Sequence, residues 1–350
     1  MSVKTVFILG SGASQEARLS TGVELKNKIA QLLDIRFEDL TRQISGDQVI
    51  GKAFSEYLRQ QGEGQIDINP YLHEAWHIRD ALPLAISIDQ FIDTQRNNEK
   101  IAFCAKLAIV RSILMDERDS LLYYDFPEVN LNFRNIEDTW YNSFFKIITE
   151  NCSVDEIPER LQSIALIVFN YDRCVEHFLY NSLRNFYKLD SSKPAELMAH
   201  LKIYHPYGVV GTLPWLDREM AMGFGAEPNT TQLLALSKGI KTFTEGSDPK
   251  ESEILTIKDC IRHASTIVFL GFAYHQLNMR LITPEEIDDG IGTRECYATT
   301  LGISENDSGV IEDQVKRMFN RNITVHMSNK TCFQLFTCYW RSVSSALNYV

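Results

Sequence analysis

Ser163-Ile164-Ala165-Leu166-Ile167-Val168-Phe169-Asn170-Tyr171-Asp172 is an apolar run too short for a lone buried helix, and it ends in an amide, a phenol and a carboxylate. A run of this kind reads as a strand buried on both faces, as in parallel sheets. Outward from it, Val6-Phe7-Ile8-Leu9 opens into Gly10-Ser11-Gly12-Ala13-Ser14, and residues 201–204 deliver His205-Pro206-Tyr207-Gly208. Ligands of open α/β sheets sit outside the carboxyl ends of the strands. Three strand ends thus carry a phosphate-type loop, an amide beside a carboxylate, and an imidazole. That is the inventory of a site that binds a nucleotide and does polar chemistry on it.

Three more strands are expected, at 266–270 running into Gly271, at 295–300 and at 322–327. Helical spacing marks 22–34, 173–186, 231–243, 253–263, 310–319 and 332–347, with a loose polar patch at 245–252. The alternation predicts an α/β fold, a doubly wound Rossmann-like parallel sheet of about six strands. Between 36 and 155 the chain offers helices, at 71–94 with a break or kink at Pro83, at 100–116 and at 136–150, and no convincing strand. The expectation is therefore one domain over 1–350, with its sheet portion in 1–35 and 156–350 and a large helical insertion at 36–155. A dehydrogenase-type fold would carry an acid at the end of a second strand about 20 residues past the glycines. Here the chain instead turns polar and helical.

A chain of 350 residues, 44% hydrophobic and 23% charged, is long enough to bury its own core. Its formal charge of −11, with no compensating basic stretch, argues against direct nucleic-acid binding and against an anionic membrane surface. No window has the apolar length of a membrane span, and the start is too short in apolar residues for a signal peptide. Seven scattered cysteines without a C-x-x-C pair fit a reducing cytoplasm and no cysteine zinc site.

Each motif has a plain alternative. Small residues at 10–14 let backbone N–H groups approach a pyrophosphate at a helix N-terminus, yet such a turn also forms without a ligand. Asn170-Tyr171-Asp172 can be a turn and N-cap. His205 can be a loop residue, or a base near neutral pH, where an unperturbed imidazole titrates at about 6.5. Gly271-Phe272-Ala273-Tyr274-His275-Gln276-Leu277-Asn278 is either a loop or a source of donors for ribose hydroxyls. His73-Glu74-Ala75-Trp76-His77 is a formal H-E-x-x-H, the zinc peptidase pattern. It lacks the longer extension, because Asp80 stands where a glycine is required and no third histidine follows. An exposed helical face is the favoured reading there.

In combination the motifs resemble the sirtuin-like (silent-information-regulator-two-like) family, in the bacterial branch without a zinc module. The matching pieces are Gly10 to Ser14 after the first strand, Leu19-Ser20-Thr21-Gly22 as its small-residue loop, and Phe169-Asn170-Tyr171-Asp172. His205 to Gly208 resembles the histidine-glycine motif, and Phe269-Leu270-Gly271-Phe272 the late strand whose loop holds the nucleotide ribose. The four zinc cysteines and the Asp-Phe-Arg segment of sirtuin deacetylases are absent, and Pro206 and Tyr207 stretch the histidine motif. These departures favour the family's NAD+ hydrolases, many of them effectors of anti-phage defence, over protein deacetylation.

The resemblance implies cleavage of NAD+, as substrate, to nicotinamide and ADP-ribose with no metal. Asn170 would hold the ribose or the water, and His205 would be the general base on a ribose hydroxyl or the water. Asp172 would support the loop or touch the nicotinamide-side ribose. Gly10, Ser11, Gly12, Ala13 and Ser14 would cradle the diphosphate, and Tyr171, Gly271, Phe272 and Asn278 complete the NAD+ contacts. A homo-oligomer is expected, controlled by a partner such as a HerA-type ATPase, an Argonaute or a phage-derived trigger. A non-catalytic NAD+ or ADP-ribose sensor would use the same loop, and a zinc metallopeptidase at His73-Glu74-x-x-His77 is the remaining alternative.

Overall fold

The computed structural model describes residues 3–39, 42–62, 66–125, 130–217, 221–246, 252–288 and 290–348. Its main sheet has six strands: β1 (Thr5–Leu9), β4 (Ile164–Val168), β5 (Lys202–Tyr204), β6 (Thr266–Leu270), β7 (Arg294–Thr299) and β8 (Ile323–Ser328). All neighbours are parallel, in the order β5-β4-β1-β6-β7-β8, so the fold is the expected α/β, Rossmann-like sheet. The chain winds one way from β1 through β4 to β5, then returns to the other side of β1 with β6. The order therefore reverses between β1 and β6, the position where such sheets open a ligand crevice.

The register makes that crevice level. Leu9 stands opposite Val168 on one side and Leu270 on the other, so the first residues past β1, β4 and β6 emerge side by side. These three strands are buried at every position, which is why they read as continuous apolar runs.

Alternate residues of the strands feed two cores. Val6, Ile8, Ala165, Ile167, Ile267 and Phe269 share one with the Asn69–Ala81 and Glu99–Asp119 helices. Phe7, Leu9, Leu166, Val168, Val268 and Leu270 share the other with the Trp140–Thr149, Cys174–Phe186 and Cys332–Asn348 helices. Phe7 meets Phe144 edge-on at 5.0 Å between ring centroids. Residues 36–155 thus cover both faces of the sheet rather than forming a lobe of their own.

Several expectations need correction. The insertion holds a short antiparallel hairpin, β2 (Arg36–Glu38) and β3 (Arg42–Ser45), whose half-exposed polar strands carry no apolar alternation to announce them. The single helix expected at 71–94 is two, Asn69–Ala81 and Ile88–Thr94, separated by a 3-10 turn, Leu82–Leu84, built on Pro83. The helix expected at 231–243 stops at Ser237, because the chain turns at Gly239 so that Lys241 N–H donates to Tyr207 O at 2.9 Å. Of the polar patch at 245–252, residues 247–251 lie outside the described residues. Among the described residues no helix is long and apolar enough to cross a membrane.

Candidate functional site

The loops after β1 and β6 touch backbone to backbone. A Cβ on Gly10 would lie 2.4 Å from Gly271 O, and one on Gly271 would lie 2.0 Å from Ala13 N. Gly271 also has φ +56°, a conformation that only glycine adopts without strain. Gly12 N–H donates to Gly271 O at 3.0 Å and Gly10 N–H to Leu270 O at 3.0 Å. These glycines therefore serve first to close the switch point.

Behind this junction the β4 loop is tied by its own side chains. Asp172 is 3% exposed and accepts from the Ser14 hydroxyl at 2.6 Å, from the Asn170 side-chain amide at 2.5 Å, and from Cys174 N–H at 3.0 Å. Burial raises the Asp172 pKa against the lowering effect of the Ser14 and Cys174 donors. Asn170 is thereby fixed in one rotamer, with its Oδ1 also accepting from Tyr171 N–H at 3.0 Å.

His205 arrives from β5 and completes the network. Its Nε2 lies 2.7 Å from Glu176 Oε1 and its Nδ1 3.4 Å from Asn170 O. The two side chains keep only 11% and 9% exposure. Burial works against a charged imidazole, but the Glu176 carboxylate outweighs it, with help from Asp172, and the His205 pKa is raised. Glu176 Oε2 is closed to solvent with no hydrogen-bond partner.

In front of this network is a cavity of about 740 Å³, within the size range of small-molecule sites. Its walls include Gly10, Ser11, Asn170, Tyr171, Phe272 and Asn278 among the residues singled out from the sequence. Gly12, Ala13, Ser14, Asp172, His205 and Gly271 stand behind those walls. The opposite wall comes from the insertion, through Ile86 to Gln90, Asp93 and Thr94. The Tyr171 hydroxyl donates to Asp89 across the cavity, and the Tyr207 hydroxyl donates to Asn278 at 2.5 Å. Burial raises the Asp89 pKa, opposed by the Tyr171 hydroxyl and by His275.

Sequence reasoning missed Glu176 and Asp89. Glu176 sits four residues after Asp172, one helical turn on, and that spacing was the signal available. Nothing local marks Asp89, which reaches the strand ends through the tertiary fold.

His73 and His77 lie on the exposed face of the Asn69–Ala81 helix. His77 stands 3.6 Å from Glu74, whose other oxygen accepts from Asn98 at 3.0 Å. Among the described residues no group of three or more His, Cys, Asp or Glu is arranged to hold a metal ion. A larger cavity, about 900 Å³, is lined by Tyr124, His177, Tyr180, Arg184, Trp215 and Phe224 among others. It includes none of the strand-end residues.

No protein-family model matches the chain, and no curated protein matches it.

Proposed function

We propose that the chain is an NAD+ glycohydrolase of sirtuin-like type: NAD+ and water give nicotinamide, ADP-ribose and a proton. The observation that carries this reading is Asn170. It is a rotamer-locked amide at the switch point, facing the strand-end cavity, with a buried His205–Glu176 pair directly behind it. Departure of nicotinamide leaves positive charge on the ribose ring, so the site must orient the sugar and present water to one face. Asn170 holds the ribose or the water, and Asp172 aims Asn170 rather than touching substrate. His205, one layer behind the cavity wall with Nε2 on Glu176 and Nδ1 facing Asn170 O, takes up the proton of the attacking water by relay past Asn170, and Glu176 both fixes the ring and balances the imidazolium that forms. Ser11 meets the diphosphate, since the Gly10, Gly12 and Ala13 N–H groups expected to cradle it are already given to Leu270 O, Gly271 O and Gly10 O, while Phe272 to Asn278 form the adenosine side.

The same proposal covers control by self-association or a partner and a role as an NAD+-depleting effector of defence. Light scattering of the purified chain, and NAD+ assays with neighbouring gene products, test that part. For the chemistry, Asn170→Ala and His205→Ala are each expected to lower nicotinamide release at least 100-fold, the scale of a lost general base, with unchanged far-UV circular dichroism. Full activity in either variant removes that residue from the mechanism.

A further inference from the structure

The sequence lacks an acid where a dinucleotide fold places one, at the end of a second strand past the glycine loop. The structure supplies carboxylates to the same cavity by another route. Asp89 and Asp93, both on the Ile88–Thr94 helix of the insertion, line it, and its described lining contains no lysine or arginine. His275, on the β6 side, does not make up the missing charge, because burial holds its pKa below the usual value although Asp89 opposes this.

Asp89 is held in place by the Tyr171 hydroxyl, at the end of β4, and shares the cavity wall with His275 in the loop after β6. It therefore stands between the two loops that a dinucleotide entering at the switch point must pass. Asp89 and Asp93 stand four residues apart on the Ile88–Thr94 helix and both line the cavity, so the two carboxylates share one side of it. A carboxylate accepts hydrogen bonds from a ribose diol and repels a phosphate monoester, whose recognition calls for arginine or lysine.

We infer that Asp89, supported by Asp93, is a specificity-determining residue through which the insertion selects a dinucleotide with a free ribose diol, NAD+, and rejects its 2′-phosphorylated form, NADP+. This rests on the reading of the cavity as an NAD+ site. It goes further by assigning the insertion a part in substrate choice.

The test measures kcat/KM for nicotinamide release from NAD+ and NADP+, and calorimetric dissociation constants for both, in the full chain. The wild type is expected to favour NAD+ by about 100-fold or more, the scale of like-charge juxtaposition in a partly buried site. Asp89→Asn should raise KM for NAD+ about tenfold with kcat within a few-fold, and shrink the NAD+/NADP+ ratio at least tenfold by losing the charge. Tyr171→Phe removes a hydroxyl that favours the Asp89 carboxylate but keeps the carboxyl group itself, so its ratio should fall clearly less than that of Asp89→Asn.

Equal use or equal binding of the two dinucleotides by the wild type overturns the inference. So does an Asp89→Asn variant whose ratio is unchanged or moves only as far as that of Tyr171→Phe, or a failure of both dinucleotides to bind. Preferential NAD+ binding without nicotinamide release would leave the inference standing and sink the hydrolase reading. Cleavage without preference would do the reverse.

Discussion

Two buried ion pairs flank the start of the Cys174–Phe186 helix, and they differ in how completely they are satisfied. In the first, Glu117 accepts from Arg173 Nε at 3.0 Å, from Arg173 Nη2 at 2.5 Å and from Gly225 N–H at 2.9 Å. Arg173 also donates from Nη1 to Met222 O at 2.6 Å and from Nη2 to Gly223 O at 3.1 Å. Both side chains are essentially sealed, at 2% and 0% exposure. In the second pair, Glu176 holds His205 through one oxygen only, and the other oxygen has no partner. In the first pair every side-chain nitrogen and oxygen has a partner, whereas in the second one carboxylate oxygen has none. The first ties the Glu99–Asp119 helix and residues 222–225 to the strand-end loop. The second is read here as part of the chemistry.

The comparison breaks most readily at the first pair. Glu117→Ala would leave the Arg173 guanidinium buried without its counter-charge, and should cost about 3–5 kcal/mol. Urea unfolding of wild type and variant measures this, and a loss below about 1 kcal/mol would mean that water or neighbours already compensate Arg173.

Glu176→Gln is the sharper contrast. It should cost about 1 kcal/mol or less in stability, yet lower nicotinamide release at least tenfold. Glu176 and Asp172 are the carboxylates that raise the His205 pKa, and the variant keeps only Asp172. Its His205 becomes easier to deprotonate, so the acid limb of the pH–rate profile should move to lower pH. The stability effect has a definite sign as well. A histidine whose folded pKa exceeds the unfolded value of about 6.5 gives its full contribution below that pH and loses it as pH rises through the folded pKa. The melting-temperature gap between wild type and variant should therefore narrow as pH rises. A gap that widens contradicts the assignment.

The smallest effect at neutral pH is expected at His177, the neighbour of Glu176, which titrates in the opposite direction. Burial, with the Arg173 charge, lowers its pKa to about 3. Its ring stacks on Phe224 at 4.0 Å, and its Nε2 lies 3.1 Å from Leu122 O. The folded state keeps it neutral while the unfolded chain takes up a proton. Its contribution is thus present above about 6.5 and is lost as pH falls toward 3, at up to about 1.4 kcal/mol per pH unit. His177→Phe should flatten that part of the acid-denaturation curve and change stability little at pH 8. An unchanged acid slope would show that other groups dominate it.

Much of this architecture was legible in the chain because burial on both sheet faces writes itself as unbroken apolar runs. Residues 164–168 and 266–270 are examples, and the glycines and Asn170 follow such runs directly. What could not be read was what the tertiary fold brings in from a distance. Asp89 reaches Tyr171 from 82 residues away. Glu176 reads as one more polar residue on a helix until His205 is set against it. The Arg36–Glu38 and Arg42–Ser45 hairpin has too few apolar residues to signal its period. Ser14 shows a subtler difference: read as a ligand donor, it instead gives its hydroxyl to Asp172 and so aims Asn170 from below.

The central claim is that the cavity at the ends of β1, β4 and β6 breaks the nicotinamide–ribose bond. The most direct test incubates the purified chain, alone and with its assembly partners, with NAD+ and follows both nicotinamide and NAD+ by chromatography. The account predicts nicotinamide and ADP-ribose appearing in equal amounts over many turnovers, matched by the loss of NAD+. NAD+ that binds and is recovered intact under every condition would contradict it.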